Sequence, residues 1–406
     1  MAASQPASLQ SSAGERATPR AIVWATAAAT LLIAAYRRPD ALVRPQFFVE
    51  DGTVFFAQDY TLGVHALYKP YAGYLHLVPR LVAWMSSVCP LEYRPTAYVW
   101  SCAAVLVGLS VLATSHRTDL PSRPAFALAP LLVPVGGFLY FHLTNIQWFL
   151  ALAQLLMLVR RPPASIRGTL LDGTLLLLTG LTGPFCLVTL TLWPLRLLRY
   201  GRRRHEWLCL ATLAMCAAVQ LYFLRAGQPP QSQGGFSHIT WAFLSKHAAT
   251  MLLGMQWPKH LGSFSWAPAA LLGVSLLLFL FGTPKPQRYQ LLQIALFGAT
   301  LFALVLFRIH PEAGGANAFT SGSRYFLLPY VCASWCALLA LGGRQPIRIW
   351  ASGFVLMLLL SAATHFDRPW PRDFAWQKYC DRIRSGQPVV VPINWPGWRI
   401  RLNFDD

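Results

Sequence analysis

Charged residues are scarce in this sequence. They make up 12% of its 406 residues, whereas soluble domains carry about 25%. Apolar residues account for 55% and aromatic residues for 13%. This composition excludes a disordered chain, a collagen and a coiled coil. It also leaves more apolar surface than one soluble core of this size could bury, so we predict an all-α polytopic membrane protein.

Acidic residues are the scarcest charged type, with 15 Asp and Glu against 34 Lys and Arg and a net charge of +19. The basic residues form no long run, which argues against a nucleic-acid partner. They occur in short clusters between apolar stretches, where charge orients a membrane protein. Membrane lipids are therefore the predicted surroundings, and no nucleic acid is expected to bind.

Several catalytic motifs are missing. The sequence has no Walker loop, no nucleophile elbow and no HExxH zinc motif. Cys332 and Cys336 lie one helical turn apart, but no His or acidic residue accompanies them, so we predict no metal site there. Only Cys89 and Cys380 of the eight cysteines fall outside the apolar stretches, and they would pair only in an oxidising compartment.

Eleven apolar stretches suit membrane-spanning helices, which need roughly 20 residues each. The stretch 168–198 counts as two of them, because it is too long for one pass and Gly183 and Pro184 mark a break in its middle. The predicted spans are 21–36, 96–114, 125–141, 144–159, 168–181, 184–198, 207–224, 267–282, 291–307, 326–343 and 351–366.

The distribution of Lys and Arg predicts the orientation of these spans. The loops on one side carry 15 Lys and Arg in 61 residues, against 18 in about 163 residues on the other side. The denser side is cytoplasmic, so we predict a cytoplasmic leader (1–20), a transmembrane domain (21–366) and a short outer tail (367–406). A cleaved signal peptide is the competing interpretation of the first span.

Residues 37–95 form the longest predicted outer loop, and long loops over a scaffold usually carry function. Its Glu50-Asp51-Gly52 sequence is flanked by phenylalanines, so either carboxylate could become more basic through desolvation. A solvated Asp-Gly turn is the alternative. The stretch 74–90 predicts a helix lying along the outer interface, from which Arg80 would contact a phosphate or snorkel to lipid headgroups.

Two further predicted outer segments contain candidate site residues. Asn145, Gln147 and Trp148 lie in a short predicted outer turn, either as site residues or as a helix cap with an interfacial Trp. Arg324 and Tyr325 lie at the start of a predicted helix, where an Arg side chain and free backbone amides can bind an anion. The alternative is that Arg324 only marks the membrane boundary beside a Tyr of the interfacial aromatic belt. The remaining substrate-binding candidates in outer segments are His65, Tyr74, Trp257, Lys259, His260 and His310.

The arrangement of an N-in first helix, a long outer loop with an early acidic pair and many helices with short inner loops resembles the GT-C superfamily of integral-membrane glycosyltransferases. Short strings resemble bacterial O-antigen and cell-wall members of that superfamily. They are Phe48-Val49-Glu50-Asp51-Gly52, Pro70-Tyr71-Ala72-Gly73-Tyr74 with Pro79-Arg80, Asn145-Ile146-Gln147-Trp148, Thr182-Gly183-Pro184-Phe185 and Gly322-Ser323-Arg324-Tyr325-Phe326.

The resemblance implies inverting transfer of a sugar from a polyprenyl-phosphate donor to a cell-envelope glycan or lipid acceptor, on the periplasmic side of the bacterial inner membrane. The general base would be Asp51 or Glu50, and we favour Asp51 because Gly52 leaves room for a substrate. The donor phosphate would be held by Arg80, Arg324, Lys69 and Tyr325. A divalent cation is left open as a cofactor. Unlike many members, the chain has only 367–406 in place of a large C-terminal domain.

Two other functions compete with this interpretation. A transporter or flippase of a lipid-linked sugar would use broken helices, and the Gly183-Pro184 break is its best feature. A non-catalytic scaffold is the third hypothesis. Convergence of Glu50 or Asp51 with Arg80 and Arg324 on one outer cavity would favour the enzyme.

Overall fold

Helices account for most of the chain. The computed structural model describes residues 18–226, 241–254, 262–264, 266–308, 322–364, 366 and 370–404. Within these residues the α-helices are α1 Arg20–Arg37, α2 Pro39–Val43, α3 Ala57–Leu62, α4 Leu77–Ser86, α5 Arg94–Thr114, α6 Arg123–Leu132, α7 Ile146–Val159, α8 Ile166–Gly180, α9 Phe185–Tyr200, α10 Arg204–Ala226, α11 Trp241–Leu253, α12 Ala267–Gly282, α13 Lys285–Arg308, α14 Ser323–Ala340, α15 Gln345–Thr364 and α16 Gln377–Arg384. A π-helical turn, Asp51–Phe56, precedes α3, and the strands β1 Val389–Pro392 and β2 Arg399–Leu402 form an antiparallel hairpin.

The helical composition confirms the all-α class and its membrane-like character. Four helices in the described part of the chain are long and apolar enough to cross a membrane: Leu91–Thr114, Arg204–Ala226, Lys285–Val305 and Gln345–Thr364. Three shorter apolar helices accompany them: Leu143–Val159, Ala267–Gly282 and Arg324–Ala340.

The stretch 168–198 forms two helices, as its glycine and proline predicted. Helix α8 ends at Gly180 and α9 begins at Phe185. Gly183 lies between them with a φ of +91°, a conformation that favours glycine. The same linker forms an isolated bridge between Thr182 and His76, so it belongs to the end of the bundle that carries residues 37–95.

The prediction of one helix over 125–141 is wrong. Helix α6 already ends at Leu132, and Val133 takes an extended conformation. Pro134 follows it, and a residue before proline disfavours the helical region. The irregular segment 133–145 is nonetheless almost entirely buried, so its backbone polar groups need partners inside the protein.

A buried arginine supplies some of those partners. The guanidinium of Arg37 donates to the carbonyl oxygens of Leu131 at 2.8 Å and Val133 at 3.2 Å, and also to that of Val135. Tyr140 accepts a further hydrogen bond from Arg37 at 3.0 Å. The last residue of α1 therefore satisfies carbonyls that the interrupted helix leaves without intrahelical donors.

Two predicted outer segments contain buried helices. The stretch 225–266, which separates the predicted spans 207–224 and 267–282, includes α11. This helix was not predicted, and it packs against α12 and α15. The helix predicted within 74–90 exists as α4, but it packs against α5 and α8 rather than only lying on the surface. Arg80 on α4 is 1% exposed, so the prediction that it snorkels to headgroups is wrong.

Basic loops meet at one end of the helical bundle. Asp172 pairs there with Arg160 at 3.2 Å and also with Arg117. Asp119 pairs with Arg161 at 2.7 Å and also with Arg199. These ion pairs connect the basic loops that were predicted to be cytoplasmic.

The C-terminal tail folds onto the loop 37–95 at the other end of the bundle. Trp376 packs edge-on against Phe47 at 4.8 Å and Phe56 at 5.2 Å. Ile393 and Ile400 of the hairpin lie so close to Gly52 that an added Cβ would meet them at 3.0 and 2.8 Å. Gly52 therefore leaves room for the hairpin and not for a substrate. All eight cysteines are free thiols, including Cys89 and Cys380.

Candidate functional site

Asp51 reaches from the π-helical turn to the start of the helix-forming segment 143–159. Its Oδ2 accepts a hydrogen bond from the Leu143 amide at 2.9 Å. Its Oδ1 accepts from the Thr144 amide at 2.8 Å and from the Thr144 hydroxyl at 2.6 Å. Because these amides precede α7 and have no intrahelical acceptor, Asp51 acts as an N-cap supplied by another part of the chain.

Burial dominates the chemistry of the Asp51 carboxyl, which is 4% exposed. Burial raises its pKa to about 7, outweighing the hydrogen bonds from Thr144 and Leu143 that favour the ionised form. The neighbouring Glu50 charge raises the pKa further. Both carboxylate oxygens already have protein donors, so Asp51 is placed to hold the segment 143–145 in position.

Glu50 points to a different environment, where an ion pair forms across distant parts of the chain. Its Oε1 lies 3.9 Å from Nη1 of Arg324 at the start of α14. The same oxygen accepts a hydrogen bond from the Tyr71 hydroxyl at 3.1 Å. The Glu50 side chain is 12% exposed and that of Arg324 is 33% exposed. This pair is therefore more accessible to a ligand than Asp51.

Tyr71 serves as a donor to this carboxylate. Burial and the adjacent Glu50 charge raise the pKa of Tyr71 above its ordinary value, so its hydroxyl stays protonated. Tyr71 also packs against His76, with ring centroids 5.5 Å apart, and Tyr74 stacks on His76 at 4.5 Å. Burial lowers the pKa of His76 to about 3, so this aromatic group carries no positive charge at neutral pH.

Arg324 contacts one end of a row of aromatic side chains that come from three helices. Its guanidinium lies over the ring of Tyr325, 5.2 Å from the centroid. Trp148 of α7 packs edge-on against Tyr325 at 5.5 Å and against Phe185 of α9 at 5.0 Å. The structure therefore brings Glu50, Arg324, Tyr325 and Trp148 together, four of the residues proposed from the sequence.

Three polar side-chain atoms of the segment 145–148 have no hydrogen-bond partner among the described residues. They are Oδ1 of Asn145, Oε1 of Gln147 and Nε1 of Trp148, and all three are buried. The amide nitrogen of Gln147 donates to the Thr144 carbonyl at 3.2 Å, which fixes the side chain. An added Cβ at Gly183 would lie 2.8 Å from the Gln147 Oε1, so glycine keeps that oxygen unobstructed. Buried groups of this kind call for an explanation such as a bound ligand.

Arg80 occupies a separate environment. Its guanidinium lies over the Phe55 ring at 5.1 Å, and its nitrogens have no hydrogen-bond partner within the described chain. Burial lowers the pKa of Arg80 to about 10, while the charge of Asp59 opposes that shift. Phe55 in turn packs edge-on against Tyr71 at 6.2 Å. Arg80 therefore does not contact Glu50 directly. The rings of Phe55 and Tyr71 lie between the two side chains.

The other sequence candidates lie elsewhere. Lys69 and His65 are exposed on the turn that follows α3, and neither makes a hydrogen bond or ion pair with Glu50 or Arg324. Trp257, Lys259, His260 and His310 lie outside the described residues.

Tyr71 and Thr144, which bind Glu50 and Asp51, were not proposed as site residues from the sequence. Tyr71 lies in the Pro70–Tyr74 run, whose tyrosines offered a signal. Thr144 precedes the helical stretch at 146, where a Thr often caps a helix. Among the residues that the structure describes, no three or more His, Cys, Asp or Glu side chains gather as they would around a metal ion.

Comparisons with known proteins find no relative. No protein-family model matches the chain, and neither the curated proteins nor the solved structures contain a significant match.

Proposed function

We propose that the protein is a membrane glycosyltransferase of the GT-C type. It would transfer a sugar from a polyprenyl-phosphate donor to a cell-envelope glycan or lipid acceptor, at the periplasmic face of the bacterial inner membrane. The observation that carries this proposal is the contact of Glu50 from the first long loop with Arg324 at the start of α14. An acid and a cation at one accessible point supply the base and the phosphate-binding group that such a transfer needs.

The roles of Arg324 and Glu50 follow from the exposure of their side chains, which are more accessible than Asp51. Arg324 binds the donor phosphate, because a guanidinium forms two hydrogen bonds to a phosphate. The phosphate replaces Glu50 as the partner of Arg324 and frees the carboxylate, which Tyr71 keeps oriented. Glu50, and not the buried Asp51, then takes the proton of the acceptor hydroxyl.

The bond changes balance without a strong acid. The acceptor oxygen attacks the anomeric carbon from the face opposite the phosphate, and the carbon–oxygen bond to the phosphate breaks with inversion. The electron pair stays on the lipid phosphate, which leaves as an anion held by Arg324. In this proposal the unpartnered atoms of Asn145, Gln147 and Trp148 hydrogen-bond sugar hydroxyls.

The phosphate role gives a first prediction. Arg324→Gln should weaken binding of farnesyl phosphate, a short donor-like lipid phosphate, by about ten- to hundredfold, because hydrogen bonds to charged groups contribute ~1.5–3 kcal/mol. Equilibrium binding to the purified protein in detergent measures it. Arg344→Gln, an exposed change near the start of α15, is the control, and Arg80→Gln should also leave the affinity unchanged. Unaltered affinity in Arg324→Gln would remove the phosphate role.

The proposal includes a membrane topology. The chain crosses the membrane eleven times, with its N-terminus in the cytoplasm and its C-terminus outside. The ion pairs of Asp119 and Asp172 hold the basic loops together, which supports one cytoplasmic end. The packing of the tail on residues 37–95 supports one outer end. Helix α6 and the buried segment 133–145 would together make one crossing, since irregular backbone is tolerated where protein surrounds it.

Labelling of single cysteines tests this topology. In a Cys89→Ser background, Tyr93→Cys should react with an impermeant maleimide added to the outside of intact spheroplasts, because Tyr93 is 63% exposed. Arg202→Cys, exposed on the basic loop, should react only after the membrane is opened. The reverse pattern would overturn the orientation.

Transport of a lipid-linked sugar is the alternative function. The interruption of α6 at residue 132 favours it, because transporters often bind substrates at broken helices. A transporter would move the lipid-linked sugar across a vesicle membrane without releasing the sugar from its phosphate. An enzyme would release it only when an acceptor is present.

A further inference from the structure

Four exposed arginines form a basic patch where helices α8 and α10 begin. Arg167 lies in the first turn of α8, and Arg202, Arg203 and Arg204 lead into α10. None of the four guanidinium groups makes a hydrogen bond or an ion pair with a described residue. The patch therefore presents four positive charges to its surroundings.

The acidic residues near the patch are already engaged. Asp172 and Glu206 are the only acidic residues between positions 120 and 311, and both are buried. Asp172 is held by the ion pairs described above, and Glu206 pairs with Arg196 at 2.7 Å. Asp119, at the same end of the bundle, is likewise paired. No described acidic side chain is left to neutralise the patch.

Contacts along α8 and α10 bring the two parts of the patch together. The Gln220 amide of α10 donates to the Gly180 carbonyl of α8 at 3.2 Å. Nearer the start of both helices, His205 Nε2 lies 3.5 Å from Asp172 Oδ2. The two helices therefore run side by side in the same direction and begin at the same end of the bundle. The positive ends of their dipoles add to the charge of the patch.

Apolar side chains are exposed directly beside the patch. Ile166 and Leu170 of α8 and Trp207 and Leu208 of α10 all lie on the surface of the bundle. In a membrane such side chains face lipid, and Trp is enriched at the boundary between hydrocarbon and headgroups. This combination places the four cations at the level of the lipid headgroups.

We propose that the basic patch binds the headgroup of an anionic glycerophospholipid whose acyl chains lie along α8 and α10. A guanidinium forms paired hydrogen bonds with a phosphate, and basic pockets between membrane helices bind such headgroups. A zwitterionic lipid brings an ammonium group to the four cations, so the patch favours a lipid with a net negative charge. This interaction is independent of the proposed sugar transfer.

The test compares phosphatidylglycerol with phosphatidylethanolamine of the same acyl chains, by native mass spectrometry of the purified full chain in detergent. The wild type should bind phosphatidylglycerol at least about tenfold more tightly, because each Arg near a lipid surface contributes about a fivefold gain. The combined variant Arg167→Gln, Arg203→Gln and Arg204→Gln should lose this preference. Arg167→Gln alone should weaken phosphatidylglycerol binding about fivefold, which provides a milder variant.

A second triple variant, Lys285→Gln with Arg344→Gln and Arg348→Gln, is the matched control. These residues are also exposed cations near helix starts, at α13 and α15, and they lie outside the basic patch. The control removes the same number of charges and should keep the tenfold preference. Equal loss of the preference in both triple variants would show that any group of surface cations is sufficient, and would overturn the proposal.

Inorganic phosphate distinguishes a lipid site from a site for the free anion. Phosphatidylglycerol should stay bound in excess inorganic phosphate, because the acyl chains add apolar contacts that the free ion lacks. It should also raise the midpoint of thermal unfolding in the wild type and in the control variant, but not in the patch variant. Displacement of the lipid by inorganic phosphate, or equal binding of the two lipids by the wild type, would contradict the proposal.

Discussion

Glu50→Gln should reduce sugar transfer by about 10²–10⁴-fold, the usual contribution of a general base. Gln has the same shape and can still accept a hydrogen bond from Tyr71, but it cannot take the acceptor proton. Donor binding should persist, because Arg324 then has no competing carboxylate. The measurement is single-turnover transfer from a polyprenyl-phosphate sugar in membranes that contain the variant.

Glu92→Gln is the matched control for this experiment. Glu92 belongs to the same long loop and pairs with Arg384 of the tail, but it has no contact with Glu50 or Arg324 within the described chain. Its replacement should leave the transfer rate unchanged. Near-normal transfer by Glu50→Gln would exclude Glu50 as the base.

Asp51→Ala should strongly destabilise the protein. The change leaves the Leu143 amide, the Thr144 amide and the Thr144 hydroxyl without their acceptor in a buried place. Each buried unsatisfied group costs ~1–3 kcal/mol, so the total is several kcal/mol even if the terms do not add. Thermal unfolding in detergent, followed by intrinsic fluorescence, should show a clear fall in midpoint temperature relative to the Glu92→Gln control.

The raised pKa of Asp51 gives the same residue a pH signature. Its pKa of about 7 in the folded protein exceeds the ordinary value of 3.8, so folding takes up a proton between these two pH values. The free energy of unfolding should therefore fall as pH rises from about 4 to about 7, and then level off. Asp51→Asn should lack this contribution, and an identical pH slope in the wild type and Asp51→Asn would contradict it.

The two carboxylates can also be told apart by activity. Asp51→Asn should retain most transfer per folded molecule, since the residue holds the segment 143–145 and does not contact the substrate. If Asp51→Asn instead abolishes transfer and Glu50→Gln does not, the assignment that the sequence favoured is the correct one.

The sequence proposed Glu50 and Asp51 as candidate bases, but it did not predict that the two side chains have different partners. Asp51 accepts hydrogen bonds from Leu143 and Thr144, which are far away along the chain. The neighbouring Gly52 gives no indication of these partners. The exposure of Glu50 likewise depends on where α14 begins relative to the first long loop. Such contacts follow from tertiary packing, which no local pattern reports.

Hydropathy predicted where helices occur more reliably than where they are interrupted or whether protein or lipid covers them. The break near Gly183 was predicted because glycine and proline adjoin there, whereas the equally apolar stretch 125–141 concealed the end of α6. Pro134 supplied the signal, since it disfavours helix at Val133. Arg80 was placed at the outer interface because a membrane crossing at 74–90 would have put the next loop on the wrong side of the charge count. That count does not show whether lipid or protein covers the helix.

The central claim is that the Glu50 and Arg324 group transfers a sugar from a lipid phosphate. The most direct test is mass spectrometry of the surface glycans and lipid-linked sugars of cells that carry only the Glu50→Gln protein, beside cells with the wild type and cells without the gene. The account predicts that Glu50→Gln and the deletion lose the same glycan sugar and accumulate the same polyprenyl-phosphate sugar. A deletion strain with unchanged glycans and unchanged lipid-linked sugars would contradict it.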